Sequence, residues 1–188
     1  MTEKIRLSSI EGMGENWATI MRWADTAFRN AGFTEEANVW QHWLLRAIAG
    51  SPEQLQIMYS VLGERRLDEV ELRHLSGYEG SRPVRVGNAA INQLQLDIYG
   101  ELADVVTQAA KGGLPAAPRR SELRQVILQH LEKIWSLPDE GIWEIRGPRQ
   151  HFVHSKVRTW VAFDRVSRAA GISASERAHW RGVARRIH

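Results

Sequence analysis

The sequence predicts an all-α protein, on three observations. Apolar residues recur at three- and four-residue steps along most of the 188 residues, which is the spacing of one buried helix face. Helix-capping combinations precede several of these stretches, and glycine or proline follows them. The alternation of a half-buried strand is sustained nowhere, although residues 56–61 could be extended for a few residues. We expect one helical domain over residues 1–188, with 1–15 as a candidate flexible N-terminal segment.

Four helices are predicted in the first part of the chain. Their expected extents are 17–29, 35–49, 51–59 and 89–110. The second has one apolar stripe and follows Thr34, a residue type that caps helices. The third begins with Ser51 as cap and Pro52 at the first helical position. The fourth rests on the helical spacing of its apolar residues alone.

Three more helices are predicted after residue 120. Their expected extents are 121–137, 155–170 and 178–187. The helix over 155–170 is apolar on more than one face, so we expect it to be buried on two sides. Ser173 and Glu176 form a capping box before the last, basic helix. The connections 63–87 and 137–154 are long and rich in glycine, proline and charge, so we expect ordered functional loops.

Composition excludes several classes of protein. The 25 Lys and Arg exceed the 22 Asp and Glu by three charges, too few to indicate a nucleic-acid partner. The absence of cysteine excludes disulfides, thiolate nucleophiles and cysteine-based metal sites. Neither a membrane-spanning stretch nor a secretory leader is visible, so we expect a cytoplasmic protein without a membrane partner. The eight tryptophans and the excess of arginine over lysine favour binding of sugars, phosphates or carboxylates. The alternative is that the tryptophans only fill the core.

The most informative segment is residues 139–144. It holds Asp139, Glu140 and Glu144, with Trp143 beside the last carboxylate. A carboxylic acid against an indole in a half-dry pocket keeps its proton more readily, as a general acid requires. A capped turn with a solvated acidic patch explains the same residues. The residues alone leave both interpretations open.

Three segments together carry a resemblance to a known family. They are residues 80–90 (GSRPVRVGNAA), 93–101 (QLQLDIYGE) and 139–144 (DEGIWE), supported by 56–59, 63–67 and 152–157. In this order they resemble the bacterial branch of family 15 glycoside hydrolases, the glucoamylase, glucodextranase and trehalase-like enzymes. The resemblance spans residues 34–170. It implies half of an (α/α) toroid of six helical hairpins, about half of the family's catalytic domain.

The resemblance also implies roles for individual residues. Glu144 matches the family's general acid, and Trp143 matches the tryptophan of the adjacent sugar subsite. Arg82 and Arg85 match the arginines of the Arg-Pro-x-Arg-x-Gly loop, whose guanidinium groups can hold sugar hydroxyls. Tyr78 is a looser candidate for a stacking wall, with an exposed turn residue as the alternative. The implied ligand is an α-glucoside or oligosaccharide, and no cofactor or metal is expected.

Two departures from the family pattern matter. The family's early Arg-Asp pair beside a tryptophan is replaced by an Arg22-Trp23-Ala24-Asp25 run, so Asp25 is a weak candidate for the sugar-gripping carboxylate. The second carboxylate of an inverting mechanism comes from a later part of the toroid that the chain does not reach. We therefore expect a homo-oligomer or a complementary half-barrel chain to complete it, unless the sequence is a fragment of a longer enzyme. The alternatives are a catalytically incomplete saccharide-binding module and a helical oligomerisation module.

Two weaker patterns are not taken as sites. His151 and His154 have a spacing that metals use, but no third ligand accompanies them. The arginines at 177, 181, 185 and 186 make the terminal helix basic. A solvated or partner-facing helix is favoured over a phosphate site there, because no nucleic-acid motif accompanies the charges.

Overall fold

The computed structural model confirms the all-α prediction. It describes residues 27–47, 52–60, 62–111 and 118–188. The helices of these segments are α1 (Thr34–Ala47), α2 (Leu96–Lys111), α3 (Pro118–Ile134), α4 (Val153–Ser167) and α5 (Ala174–Ile187). Short 3-10 turns cover Pro52–Gln54, Tyr78–Gly80 and Ala89–Asn92. None of the described helices is long and apolar enough to cross a membrane.

Helix α2 lies at the centre of the described part. It packs against α3 and α4, and α4 also packs against α5. The core consists of residues such as Leu102 of α2, Leu131 of α3 and Phe163 of α4, all fully buried. The Phe163 ring stacks on Trp180 of α5 with centroids 5.6 Å apart. The prediction that the helix near 155–170 is buried on two sides is therefore confirmed.

The α2–α4 contact is unusually close and carries buried charge. A Cβ added to Gly100 would lie 2.3 Å from the Arg158 carbonyl oxygen, so only glycine permits this approach. Next to it, Arg158 pairs with the buried carboxylate of Glu101. Further along the same two helices, Arg165 of α4 also pairs with Asp104 of α2. These ion pairs hold the two helices in one register, because breaking a buried pair leaves a charge without compensation.

The predicted helix over 51–59 is wrong beyond its first turn. Only Pro52–Gln54 is helical among its described residues, and the chain then continues without regular secondary structure, with a bend at Ile57. Ile57 and Tyr59 are both buried, so this segment packs into the core without forming a helix. The Tyr59 hydroxyl also accepts a hydrogen bond from the Gln56 amide at 3.1 Å. Tertiary contacts therefore outweigh the capping signal.

The predicted helix over 89–110 is split. Residues Ala89–Asn92 form a 3-10 turn, and α2 begins only at Leu96. Asn88 caps the short turn by accepting a bond from the Ala90 amide. The carboxylates of Glu140 and Asp139 take the amides of Leu94 and Leu96, which a continuous helix would use itself.

The connection 63–87 contains a small antiparallel hairpin that the sequence did not indicate. Its strands are β1 (Val70–Glu71) and β2 (Arg85–Val86), with Val70 opposite Val86. Two-residue strands are too short to produce a readable alternation. Gly87 closes it with φ +76°, where a Cβ would lie 2.1 Å from the Asp68 carbonyl oxygen.

The remaining boundaries differ from the predictions by a few residues. Helix α3 begins at Pro118 rather than 121, and α4 spans Val153–Ser167. Helix α5 starts at Ala174 rather than 178, directly after the cap Ser173, and the Ser173–Glu176 capping box is present as predicted. Most of the predicted helix over 17–29, and residues 1–15, lie outside the described residues; residues 27–30 are helical.

Candidate active site

The candidate acid Glu144 lies in the loop of residues 138–152, called the Glu144 loop below. Asp139 and Gln150 close the loop with two backbone hydrogen bonds of 2.9 Å, one in each direction. The Lys156 ammonium, on the first turn of α4, donates to the Leu137 carbonyl at 2.9 Å, and partial burial lowers the pKa of this lysine. The loop is therefore fixed at both ends to the helical core.

Two of the three carboxylates in the 139–144 segment have structural tasks. The fully buried Asp139 accepts the Leu96 amide at 2.9 Å. Glu140 accepts the Leu94 amide at 2.7 Å with one oxygen and the Arg149 guanidinium at 2.9 Å with the other. Both carboxylates satisfy backbone groups at the start of α2, so neither is available to a substrate. The capped-turn interpretation holds for these two residues.

Glu144 is different. Its side chain is partly exposed, and no described residue forms a hydrogen bond with its carboxylate. Its amide donates to the Gly141 carbonyl at 3.1 Å, and its φ of +49° is uncommon for a residue other than glycine. Gly141 has φ +65° and packs on the Phe152 ring, where a Cβ would approach a ring carbon to 2.6 Å. A tight turn therefore presents Glu144, whereas Asp139 and Glu140 are held by the start of α2.

Trp143 and Tyr78 lie on the surface of the described part. Their exposed fractions are 80% and 84%. Neither ring contacts another described aromatic ring, so the structure does not bring these two residues together. Two exposed aromatic surfaces can stack on sugar rings, but further protein surface is needed to enclose Glu144 in a dry pocket.

The two candidate arginines belong to the hairpin. Arg82 is exposed and donates to the Arg73 carbonyl at 3.4 Å, across the turn between the strands. Arg85 sits on β2 and donates to Glu71 at 3.2 Å. Its Nε lies 3.5 Å from Glu69. Both guanidinium groups keep donors directed toward solvent, because each has five and the described contacts use few.

Glu69 joins the hairpin to the Glu144 loop, and sequence reasoning missed it. Besides Arg85, it accepts the Arg146 guanidinium at 3.1 Å and the Ala89 amide at 3.4 Å. The Arg146 contact, followed by that amide and Arg85, lowers the pKa of Glu69 below its usual value. The local signal is the short acidic run at 68–71, but such a run is typical of a solvated surface, so the sequence alone does not single out Glu69.

The candidate site is thus centred on one available carboxylate, Glu144, next to the exposed Trp143, and Glu69 links its loop to the hairpin that carries Arg85. Asp25 lies outside the described residues. No group of three His, Cys, Asp or Glu within the described ranges could hold a metal ion. Such a set suits a neutral polyhydroxylated ligand, which guanidinium groups can hydrogen-bond and an acid can protonate.

A family model decides the classification. The model described as glycosyl hydrolases family 15 matches residues 21–188. The chain belongs to glycosyl hydrolase family 15. The suggested resemblance is thereby confirmed, and the helical architecture is consistent with a fragment of the family's (α/α) toroid.

Several relatives carry the name trehalase. The chain is similar to a trehalase of Mycolicibacterium smegmatis, with 45% identity over 140 residues, 73% of this chain and 21% of the relative. It is 34% identical over 175 residues to trehalase 1 of Sulfolobus acidocaldarius, 88% of this chain and 31% of that one. It is 30% identical over 181 residues to a trehalase of Thermoplasma volcanium, which is 92% of this chain and 29% of that one.

The family 15 chain spans a fifth to a third of the length of these relatives. No solved structure matches it.

Proposed function

We propose that this chain contributes the general acid to hydrolysis of an α-glucosidic bond, with trehalose as the substrate. The observation that carries the proposal is the contrast within residues 139–144. Asp139 and Glu140 are used by the α2 start, whereas Glu144 is presented on a tight turn without a protein partner among the described residues. The naming of the relatives as trehalases supports the choice of trehalose.

In the proposed reaction Glu144 donates its proton to the bridging oxygen while the bond from the anomeric carbon to that oxygen breaks. Trp143 lines the sugar subsite beside it, and Arg82 and Arg85 hold hydroxyl groups. Tyr78 and Asp25 are further contacts in this proposal. A general acid must stay protonated until it transfers its proton to the leaving oxygen. This requires a pocket drier than the described surface, so closure by additional protein surface is part of the proposal.

A second carboxylate completes the inverting mechanism. It takes a proton from water, and that water attacks the anomeric carbon on the face opposite the leaving oxygen. The two carboxyl groups then stand about 6.5–9.5 Å apart to leave room for the water. We propose that this base comes from another copy of the chain, from a complementary half-barrel chain or from a further part of a longer chain.

The stereochemical course tests the mechanism. Inversion of trehalose, whose two anomeric carbons are both α, releases one α-glucose and one β-glucose, because only the attacked carbon changes configuration. Retention releases two α-glucose molecules. Proton NMR of the products in the first minutes, before mutarotation, distinguishes equal amounts of the anomers from a large α excess.

A second function has support from exposed apolar side chains. Val153 and Val157 lie one turn apart on α4, with exposed fractions of 79% and 48%, and Leu137, whose carbonyl accepts the Lys156 ammonium of α4, is 44% exposed. Exposed apolar side chains of this kind are usually buried against another protein surface. In a helical oligomerisation or saccharide-binding module, a partner chain would bury them. Glucose release with any assembly state favours the hydrolase, whereas a stable oligomer that binds saccharide without releasing glucose favours this alternative.

A further inference from the structure

We infer that Glu69 is the positioning residue that sets the Arg85 hairpin against the Glu144 turn. The inference rests on the proposed function for its catalytic meaning, but its structural content is independent. Three segments of the chain meet at this one carboxylate: strand β2, the Glu144 loop and the turn before α2. Glu69 touches no reacting group in this account; it acts through the segments it joins.

The geometry divides the contacts between the two carboxylate oxygens. Oε2 accepts the Arg146 Nη2 at 3.1 Å and the Ala89 amide at 3.4 Å. Oε1 faces the Arg85 Nε at 3.5 Å. The Glu69 side chain is 18% exposed, whereas that of Arg146 is 67% exposed. Two hydrogen bonds and one ion pair hold the Glu69 carboxylate, and the exposed Arg146 guanidinium reaches it from the Glu144 loop.

Arg146 lies two residues after Glu144, so its orientation bears on the turn. The next residue back, Ile145, is also held, because its carbonyl accepts the Gln93 amide side chain at 3.1 Å. Its own amide donates to the Glu140 carbonyl at 3.3 Å. The C-terminal side of the Glu144 turn is thus fixed by one link to the α2 start and one to the hairpin. Only the second link depends on Glu69.

Glu71 of strand β1, two residues after Glu69, provides a matched control. It also pairs with Arg85, at 3.2 Å, and its side chain is 43% exposed. No contact joins it to the Glu144 loop in the described part of the chain. Glu69→Gln and Glu71→Gln therefore make the same chemical change at two partners of one arginine, and only the first removes the charge that holds Arg146.

Amide hydrogen exchange of the 188-residue chain tests the link without requiring activity. We expect Glu69→Gln to raise exchange over residues 141–147 by about tenfold, and Glu71→Gln to leave it unchanged. Arg146→Gln should reproduce the increase, and the double variant should add little to either single change, since both remove one interaction. Exchange over 141–147 that is equal in wild type and Glu69→Gln overturns the inference.

Binding of a glucose-shaped iminosugar, 1-deoxynojirimycin, separates positioning from general stability. We expect Glu69→Gln to raise the dissociation constant about tenfold while its thermal midpoint matches that of Glu71→Gln. If the wild type binds and Glu69→Gln binds equally well, the positioning role is overturned and the proposed function survives. If the wild type binds no iminosugar but the exchange pattern holds, the link is supported and the proposed function fails for this chain.

Discussion

The Asp139 carboxylate accepts a hydrogen bond from the Leu96 amide at 2.9 Å, 43 positions away in the chain. This bond joins the loop that carries Glu144 to the first turn of the central helix. The first amides of a helix have no partner within the helix, and a buried acceptor supplies one. The candidate acid is therefore positioned by the same contact that starts α2.

Replacing Asp139 by alanine should lower the free energy of unfolding by about 1–3 kcal/mol, because a buried amide loses its acceptor. Chemical denaturation measures the change. Asp68→Ala is the control, since Asp68 is exposed and pairs with the exposed Arg66, and exposed pairs contribute little to stability. Equal losses in the two variants would contradict the structural role of Asp139.

Gly100 and Gly182 offer a test of helix packing. Gly100→Ala should destabilise the protein by about 1–3 kcal/mol, because the new methyl group meets the Arg158 carbonyl. Gly182 of α5 has no atom within 4 Å of an added Cβ, so Gly182→Ala should stabilise by roughly 0.5–1 kcal/mol. Thermal unfolding of both variants measures the contrast. A neutral Gly100→Ala would show that α2 and α4 are further apart than described.

His154 should make stability fall on acidification. Burial and the nearby Arg158 lower its pKa below the ordinary value of 6.5, although Glu101 and Asp139 act in the opposite direction. The buried Asp97 faces the same ring at 3.8 Å. The unfolded chain binds a proton here at higher pH than the folded chain, so the contribution is present above about pH 6.5 and is lost below it.

The measurement is the free energy of unfolding between pH 7.5 and 5 for wild type and His154→Gln. We expect the wild type to lose more stability across this range than the variant, because the variant lacks the titrating ring. Parallel curves would assign the pH dependence to other groups.

The helices were predictable because their signals are local. The apolar stripe of α1 and the Ser173–Glu176 box of α5 each lie within a few residues of the element they specify. The split before α2 was not predictable in the same way. It depends on Asp139 and Glu140, which lie more than 40 positions later in the chain and take the amides of the turn.

The residues of the candidate site also differ in whether the local sequence predicts them. Glu144 and Trp143 could be predicted from a compact motif, whose form is visible without the fold. Glu69 could not be predicted in this way, because its role depends on a hydrogen bond from Arg146, 77 positions away. Nor could the motif tell that Asp139 and Glu140 are structural whereas Glu144 is presented, because all three are carboxylates in one short run.

Trp143→Ala should weaken saccharide binding about tenfold, which corresponds to about 1.4 kcal/mol, because the exposed indole is the proposed stacking surface. Calorimetric titration with trehalose measures the dissociation constant, and Trp143→Phe, which keeps a smaller ring, should retain part of the affinity. Little effect on stability is expected, since the side chain is 80% exposed. An unchanged dissociation constant in Trp143→Ala would remove Trp143 from the pocket.

The acid role of Glu144 is tested most directly by glucose release from trehalose with wild type and Glu144→Gln, while light scattering follows the mass of each. We expect the wild type to release glucose as an assembly, and the variant to lose at least about 100-fold in rate while binding trehalose with similar affinity. A variant of the same mass that retains turnover would contradict the assignment of Glu144 as the general acid.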